Sequence, residues 1–164
     1  MKTFMLLRHA KSSWKDSDLA DHERPLNKRG KRDAPSMGHL LSAEGLVPDL
    51  ILSSTAVRAR ETAEAVAHAS SYEGAVELVN DLYLAPPGKL LSEAQSRTPD
   101  SVGRLLLVAH NPGLEDLVEI LSGTREPFPT AALAVFEVRI KRWKELELGV
   151  KTRLSKIYRP KELE

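Results

Sequence analysis

Arg8 and His9 stand side by side directly after the apolar run Phe4 to Leu7, and this pair is the strongest chemical signal in the chain. A neutral imidazole is a competent nucleophile toward phosphorus, and neighbouring guanidinium groups oppose its protonation. Arg58 begins the helical segment after a second apolar run, Leu50 to Leu52, and His110 directly follows a third, Leu105 to Val108. Singly, each has an ordinary explanation. His9 could be a buried core histidine, Arg58 a surface helix residue paired with Glu61 or Glu64, and His110 a residue ahead of a helix cap. If the three runs are parallel strands, however, all four side chains converge on one sheet edge, where ligands of open α/β sheets collect.

The residue types then define the chemistry. Charge on a transferring phosphoryl group is spread over its equatorial oxygens, and guanidinium forks match those oxygens better than ammonium groups do. His9 is therefore the candidate nucleophile, Arg8 and Arg58 the clamps, and His110 a further donor. Arg58 gains from its place at a helix start, where free N–H groups and the helix dipole favour an anion. By this logic the site needs no metal and no cofactor, because cationic side chains supply the charge neutralisation.

The elements that must position these residues are legible as alternating patterns. The three short apolar runs suit strands buried on both faces. Leu114, Leu117, Val118 and Leu121 form a helical stripe, with Asn111 as cap, Pro112 in the first turn and Gly123 as stop. A second helix is expected from Ala56 to Ala69, capped by Ser53, Ser54 or Thr55, with Ala59, Ala63, Val66 and Ala67 on one face. A third should run from about Asn27 to Glu44, turning Met37, Leu40 and Leu41 inward and ending at Gly45, although Gly30 and Pro35 weaken its first half. Pro86, Pro87 and Gly88 precede another short helix, and Arg125 to Pro129 form a loop. Leu133 to Val138 and the alternating Trp143 to Leu148 predict an antiparallel addition at the sheet edge. The expected fold class is α/β, a three-layer α/β/α sandwich with a mostly parallel central sheet.

Composition narrows the function classes. The chain has 164 residues, 41% of them hydrophobic, and is expected to form one domain over 1–164. With 24 basic and 23 acidic residues, its net charge of +1 gives little attraction for nucleic acid or an anionic membrane. The absence of cysteine excludes disulfides, thiolate nucleophiles and cysteine-bound zinc. Met1 to Leu7 meets Arg8 too early for a secretory signal, so the expected location is the cytoplasm. Lys28 to Arg32 is expected to be a solvated helix face, and Lys141 to Lys144 to protect an edge strand. His22, His39 and His68 are expected at the surface or in packing, with only His22 near the proposed site.

Four ordered motifs now carry a resemblance: Leu-Leu-Arg8-His9-Ala10-Lys-Ser-Ser-Trp14, Asp21-His22-Glu-Arg24-Pro25-Leu26, Ser53-Ser54-Thr-Ala-Val-Arg58-Ala59-Arg-Glu-Thr62-Ala63, and Val108-Ala109-His110-Asn111-Pro112-Gly113. Over Met1 to about Leu121 the chain resembles the histidine phosphatase superfamily, with its phosphoglycerate-mutase-like fold, and within it the SixA-type phosphohistidine phosphatases. The resemblance implies that His9 becomes transiently phosphorylated, that Arg8, Arg58 and His110 line the phosphate pocket, and that Arg24 joins them. A loop salt bridge from Arg24 to Asp21 or Glu23 is the competing reading. The implied substrate is a phosphorylated His on a protein, such as a His phosphotransfer domain.

The chain departs from the family pattern at two places. Ala10 stands where many relatives have Gly, so the backbone there should not need a Gly-only conformation. Phosphatases of the family that act on oxygen esters usually present a Glu as general acid, but here Asp81-Leu82-Tyr83-Leu84-Ala85 puts an apolar residue in that slot, with Asp81, Asp16 and Asp18 as unassigned substitutes. An alkoxide needs a proton to leave, worth roughly a hundredfold or more, whereas a phosphorylated imidazole leaves more readily. The expected activity is therefore phosphohistidine hydrolysis. The alternatives are a phosphatase or mutase acting on a small phosphorylated metabolite, and a non-catalytic phosphoprotein-binding module.

Overall fold

The computed structural model describes residues 1–163. Six strands form one sheet in the order β3-β2-β4-β1-β5-β6. They are β1 (Lys2–Arg8), β2 (Leu50–Ser54), β3 (Val76–Val79), β4 (Arg104–Ala109), β5 (Leu133–Val138) and β6 (Thr152–Tyr158). The first four are mutually parallel, whereas β5 runs antiparallel to β1 and to β6. The sheet is thus mostly parallel, with an antiparallel edge.

Alternate residues of the central strands enter two separate cores, which makes the fold three-layered. Met5, Leu7, Ile51, Leu106 and Val108 pack under α1 (Lys28–Ala43) and α2 (Val57–Ser70). Phe4, Leu6, Leu52, Leu105 and Leu107 pack under α3 (Pro87–Arg97) and α4 (Gly113–Ser122). The small face of α2 works as expected: Ala59 and Ala63 are fully buried, and Gly38 of α1 lies so close to Val66 and Ala69 that no larger side chain would fit.

Helix starts differ from the sequence reading in two respects, at α2 and at α4. Asn27 caps α1 by accepting from the Gly30 N–H at 2.9 Å, and Gly45 stops it with φ 68°. The N-cap of α2 is Ala56, and no side chain caps the helix. Ser54 is instead turned toward His110, its Oγ lying 2.8 Å from the His110 Nε2. Asn111 lies one residue before the N-cap of α4, yet its Oδ1 accepts from the Glu115 N–H at 3.2 Å.

The expected strand over Trp143 to Leu148 is absent. Trp143–Glu145 is a 3-10 turn, with Trp143 and Leu146 buried and Leu148 exposed. The apolar spacing that matters is therefore three residues, a helical-turn period and not the strand period of two. Trp143 packs edge-on against Phe4, and its indole N–H donates to the Val102 carbonyl at 2.8 Å. The basic cluster around it consequently protects no strand edge. The strand that pairs with β5 is β6, whose alternation is interrupted where the β5–β6 register shifts at Val135/Phe136.

Candidate active site

Parallel pairing of β1 with β4 sets Arg8 opposite Ala109, and the backbone N–H of His9 donates to the Ala109 carbonyl at 3.1 Å. His9 and His110 are therefore neighbours just beyond two adjacent strand ends, their ring centroids 5.2 Å apart. β2 pairs Ser53 with Val108 on the other side of β4, so the chain leaving β2 brings Arg58, in the first turn of α2, to the same edge. All four residues inferred from the sequence line one cleft of about 250 Å³. His9, Arg58 and His110 form its floor, only 7%, 4% and 2% exposed.

Arg24 reaches the cleft from a hairpin that follows β1. Ser12 pairs with Leu26, the Ser13 N–H donates to the Pro25 carbonyl at 2.8 Å, and the Asn27 N–H donates to the Lys11 carbonyl at 3.0 Å. The hairpin is braced on α1, because a Cβ on Gly30 would overlap the Lys11 carbonyl oxygen. The side chain of Arg24 lines the cleft, and it makes the expected salt bridge to Asp21 at 2.9 Å. It also donates to the Ser13 carbonyl at 3.1 Å and to Ser12 Oγ.

The state of His9 follows from its contacts. Its Nδ1 lies 2.8 Å from the Ala10 carbonyl, which can only accept, so Nδ1 carries the hydrogen. Nε2 is then left with its lone pair, and the Arg58 Nε–H lies 3.4 Å from it, a long and weak contact. Burial first, and then the Arg58, Arg8 and Arg24 charges, lower the pKa to about 3 against the opposing pull of the Ala10 carbonyl. The ring is therefore neutral and nucleophilic at neutral pH. Burial also lowers His110 to about 3, with His9 and Arg58 adding to the shift. Its Nδ1 is buried and, among the described residues, has no partner; the same is true of Arg8 Nε. The Arg8 Nε–H is thus a buried donor with no acceptor among the described residues, which suits a bound anion.

Asp21 was missed by sequence reasoning as a member of the site. Its carboxylate bridges both clamps, Arg24 at 2.9 Å and Arg58 at 3.0 Å, and accepts from the Tyr83 hydroxyl at 2.5 Å. Its backbone carbonyl takes another Arg58 N–H at 2.7 Å. The Tyr83 hydrogen bond above all, then Arg24 and Arg58, hold this carboxyl well below the usual carboxylate range. Its position three residues before Arg24 was visible in the sequence, but its reach to Arg58 and Tyr83 was not. His22 sits at the margin, its Nε2 2.8 Å from Thr55 Oγ1, while His39 and His68 are exposed on the helical layer away from the cleft.

Among the described residues no protonated carboxyl group faces the cleft. Asp21 is its only carboxylate among the described residues, and Asp81 is turned to Lys89 at 3.5 Å. Asp16 and Asp18 are exposed on the hairpin and do not line the cleft. Leu84 lines it instead, from the segment where an acid would be expected. Ala10 has no positive φ and is fully buried, so the alanine is accommodated without strain. Chemically, the arrangement can bind a tetrahedral anion between guanidinium groups and attack it with a neutral imidazole. No helix among the described residues is long and apolar enough to span a membrane.

The chain is similar to several known proteins. The model of the histidine phosphatase superfamily (branch 1) matches residues 4–83. An uncharacterised protein of Mycobacterium tuberculosis is 38% identical over 154 residues, covering 87% of this chain and 93% of its own length. An uncharacterised chloroplastic protein of Arabidopsis thaliana is 35% identical over 153 residues, covering 88% and 70%. Among solved structures, a protein assigned as the phosphohistidine phosphatase SixA of Agrobacterium tumefaciens is 32% identical with a TM-score of 0.79, covering 97% of this chain and 98% of its own. The protein histidine phosphatase SixA complexed with tungstate shares the fold at a TM-score of 0.83 and 22% identity, with 99% of both chains covered. Motif order, sheet topology and full-length similarity agree, and the chain belongs to the histidine phosphatase superfamily.

Proposed function

We propose that this protein is a phosphohistidine phosphatase that works through a phosphorylated His9 and requires no metal ion. The reading rests on one observation: a neutral imidazole, bare at Nε2, lies among arginines in a cleft where the described residues present no protonated carboxyl group. Nε2 attacks phosphorus, the new N–P bond forms, and the bond to the substrate's ring nitrogen breaks with its electron pair returning to that nitrogen. A phosphorylated imidazole protonated on its other nitrogen leaves as a neutral ring, so no side-chain acid is needed. Arg8, Arg24 and Arg58 neutralise the phosphoryl oxygens, and the unpartnered His110 Nδ1 donates to one of them if it carries the ring hydrogen. Water then attacks the phospho-His9, releasing inorganic phosphate and restoring the ring.

The substrate is a phosphorylated protein, with a His phosphotransfer domain as the type of partner that presents an exposed phosphohistidine. The test uses the protein stripped with a chelator and labelled phosphoramidate as donor. Acid-free quenching should trap label that survives alkali and is lost in acid, and a His9→Ala variant should trap none. Full labelling of His9→Ala would refute the intermediate. Faster turnover of sugar or alkyl phosphates than of a phosphohistidine peptide would favour the small-metabolite reading, and phosphate binding without turnover would favour a binding module.

A further inference from the structure

We propose that Trp14 and Leu84 form a leaving-group subsite that selects a planar aromatic ring, a specificity element distinct from the phosphate clamp. Under the phosphohistidine reading, on which the identity of the ring rests, that ring is the substrate's imidazole. In-line displacement requires the leaving atom to lie opposite the attacking His9 Nε2. With His9, Arg58 and His110 on the floor, the leaving group must point to the mouth of the cleft. There the lining changes character: Trp14 is 72% exposed and Leu84 is 53% exposed.

Neither residue is explained by core packing. The guanidinium carbon of Arg24 stacks 3.3 Å from the Trp14 ring centroid, and Arg24 is itself fixed by Ser13, Asp21 and Ser12. One face of the indole is thereby ordered while the residue stays open to solvent. A ring that stacks on an already ordered indole forfeits little side-chain freedom. Leu84 has φ 51°, a left-handed conformation that a leucine rarely adopts. Strain of this kind persists where the surroundings impose it and clusters at ligand-binding sites. Its neighbour Tyr83 is tied to Asp21, which couples this segment to the arginine clamp. The only carboxylate lining the cleft, among the described residues, is already engaged by three donors, so it is a poor acceptor for sugar hydroxyls.

The experiment compares donors with and without a ring in the wild type, Trp14→Ala, Trp14→Phe and Leu84→Ser. Trp14→Ala should lower the ratio of kcat/KM for free phosphohistidine to that for phosphoramidate by about fivefold to tenfold, the scale of one aromatic pair. Trp14→Phe should restore most of it, and Leu84→Ser should lower it about threefold, one partly buried aliphatic contact. The ratio for p-nitrophenyl phosphate to ethyl phosphate should move in the same direction. An unchanged ratio, with both donors losing equally, would overturn the proposal and reduce Trp14 to a support for Arg24. If the wild type turns over phosphate esters and neither phosphoramidate nor phosphohistidine, the functional reading fails while the ester ratio still decides the subsite. Should nothing turn over, the His9→Ala variant provides the binding measurement. Phosphohistidine should quench indole fluorescence in that variant but not when Trp14→Phe is added, and phosphoramidate should not quench it. Absence of that difference would also overturn the subsite.

Discussion

Acidification separates His9 from an ordinary histidine. A ring with the usual pKa near 6.5 is about 75% neutral at pH 7 and about 3% neutral at pH 5, so as a nucleophile it would lose about 25-fold. His9, held at about 3 by burial and then by Arg58, Arg8 and Arg24, stays about 99% neutral at pH 5. The ring itself is the right readout, because phosphoryl donors have ionisations of their own in this range. Long-range 1H–15N correlation spectra should show His9 protonated at Nδ1 and bare at Nε2 from pH 7.5 to 4.5. A His9 that titrates near 6.5, or one carrying its hydrogen on Nε2, would refute the reasoning. Because burial is the largest cause, Arg58→Gln should still leave the ring well below 6.5. The stability consequence has a definite sign: as pH falls through 6.5, the unfolded chain takes up protons that folded His9 refuses until about 3, so stability is complete above 6.5 and declines below it. At pH 5 the loss is about 2 kcal/mol from His9 and about as much from His110, which is held at the same value. The urea midpoint should fall between pH 7 and pH 5, and His9→Gln should remove about half of that fall.

Three further outcomes follow from single contacts. Arg58→Lys should lower kcat more than about a hundredfold while leaving the fold intact, since a point charge cannot replace a fork that reaches His9 and Asp21 together; steady-state kinetics and circular dichroism check both halves. Asp21→Asn removes the only carboxylate of the cleft among the described residues, so inhibition by inorganic phosphate should tighten by roughly threefold to tenfold, with kcat falling as the two arginines lose their common anchor. Weaker phosphate inhibition would contradict that electrostatic account. Gly30→Ala forces the Lys11 carbonyl away from α1 and should cost about 1–3 kcal/mol, seen as a Tm drop of several degrees.

Much of this molecule is decided locally. Continuous apolar runs produced β1, β2 and β4, because only strands covered on both faces bury every residue. Helical spacing, Asn27 and the two stopping glycines bounded α1 and α4. Arg8, His9 and His110 sit at or directly after those runs, so the parallel arrangement carried them to one edge, and the short connection from β2 to α2 brought Arg58 there. Local patterns failed at the two sheet edges and in the turn after β5. The edge strand β6 alternates imperfectly across a register shift, β3 has two exposed residues of its four, and the period of Trp143 and Leu146 is that of a turn.

The residue types of the site, and so the chemistry open to it, are already written in the sequence: imidazoles, guanidinium groups and, at Leu84, an apolar side chain. Tertiary structure decided what those residues are tied to. Asp21 joins Arg24, Arg58 and Tyr83 across separations of 3, 37 and 62 residues, and His110 meets Ser54 across 56. Periodicity reports which way a side chain faces relative to its own element. Which of its atoms meets which partner depends on how separate elements pack, and that packing, through the desolvation it imposes, keeps the His9 ring neutral.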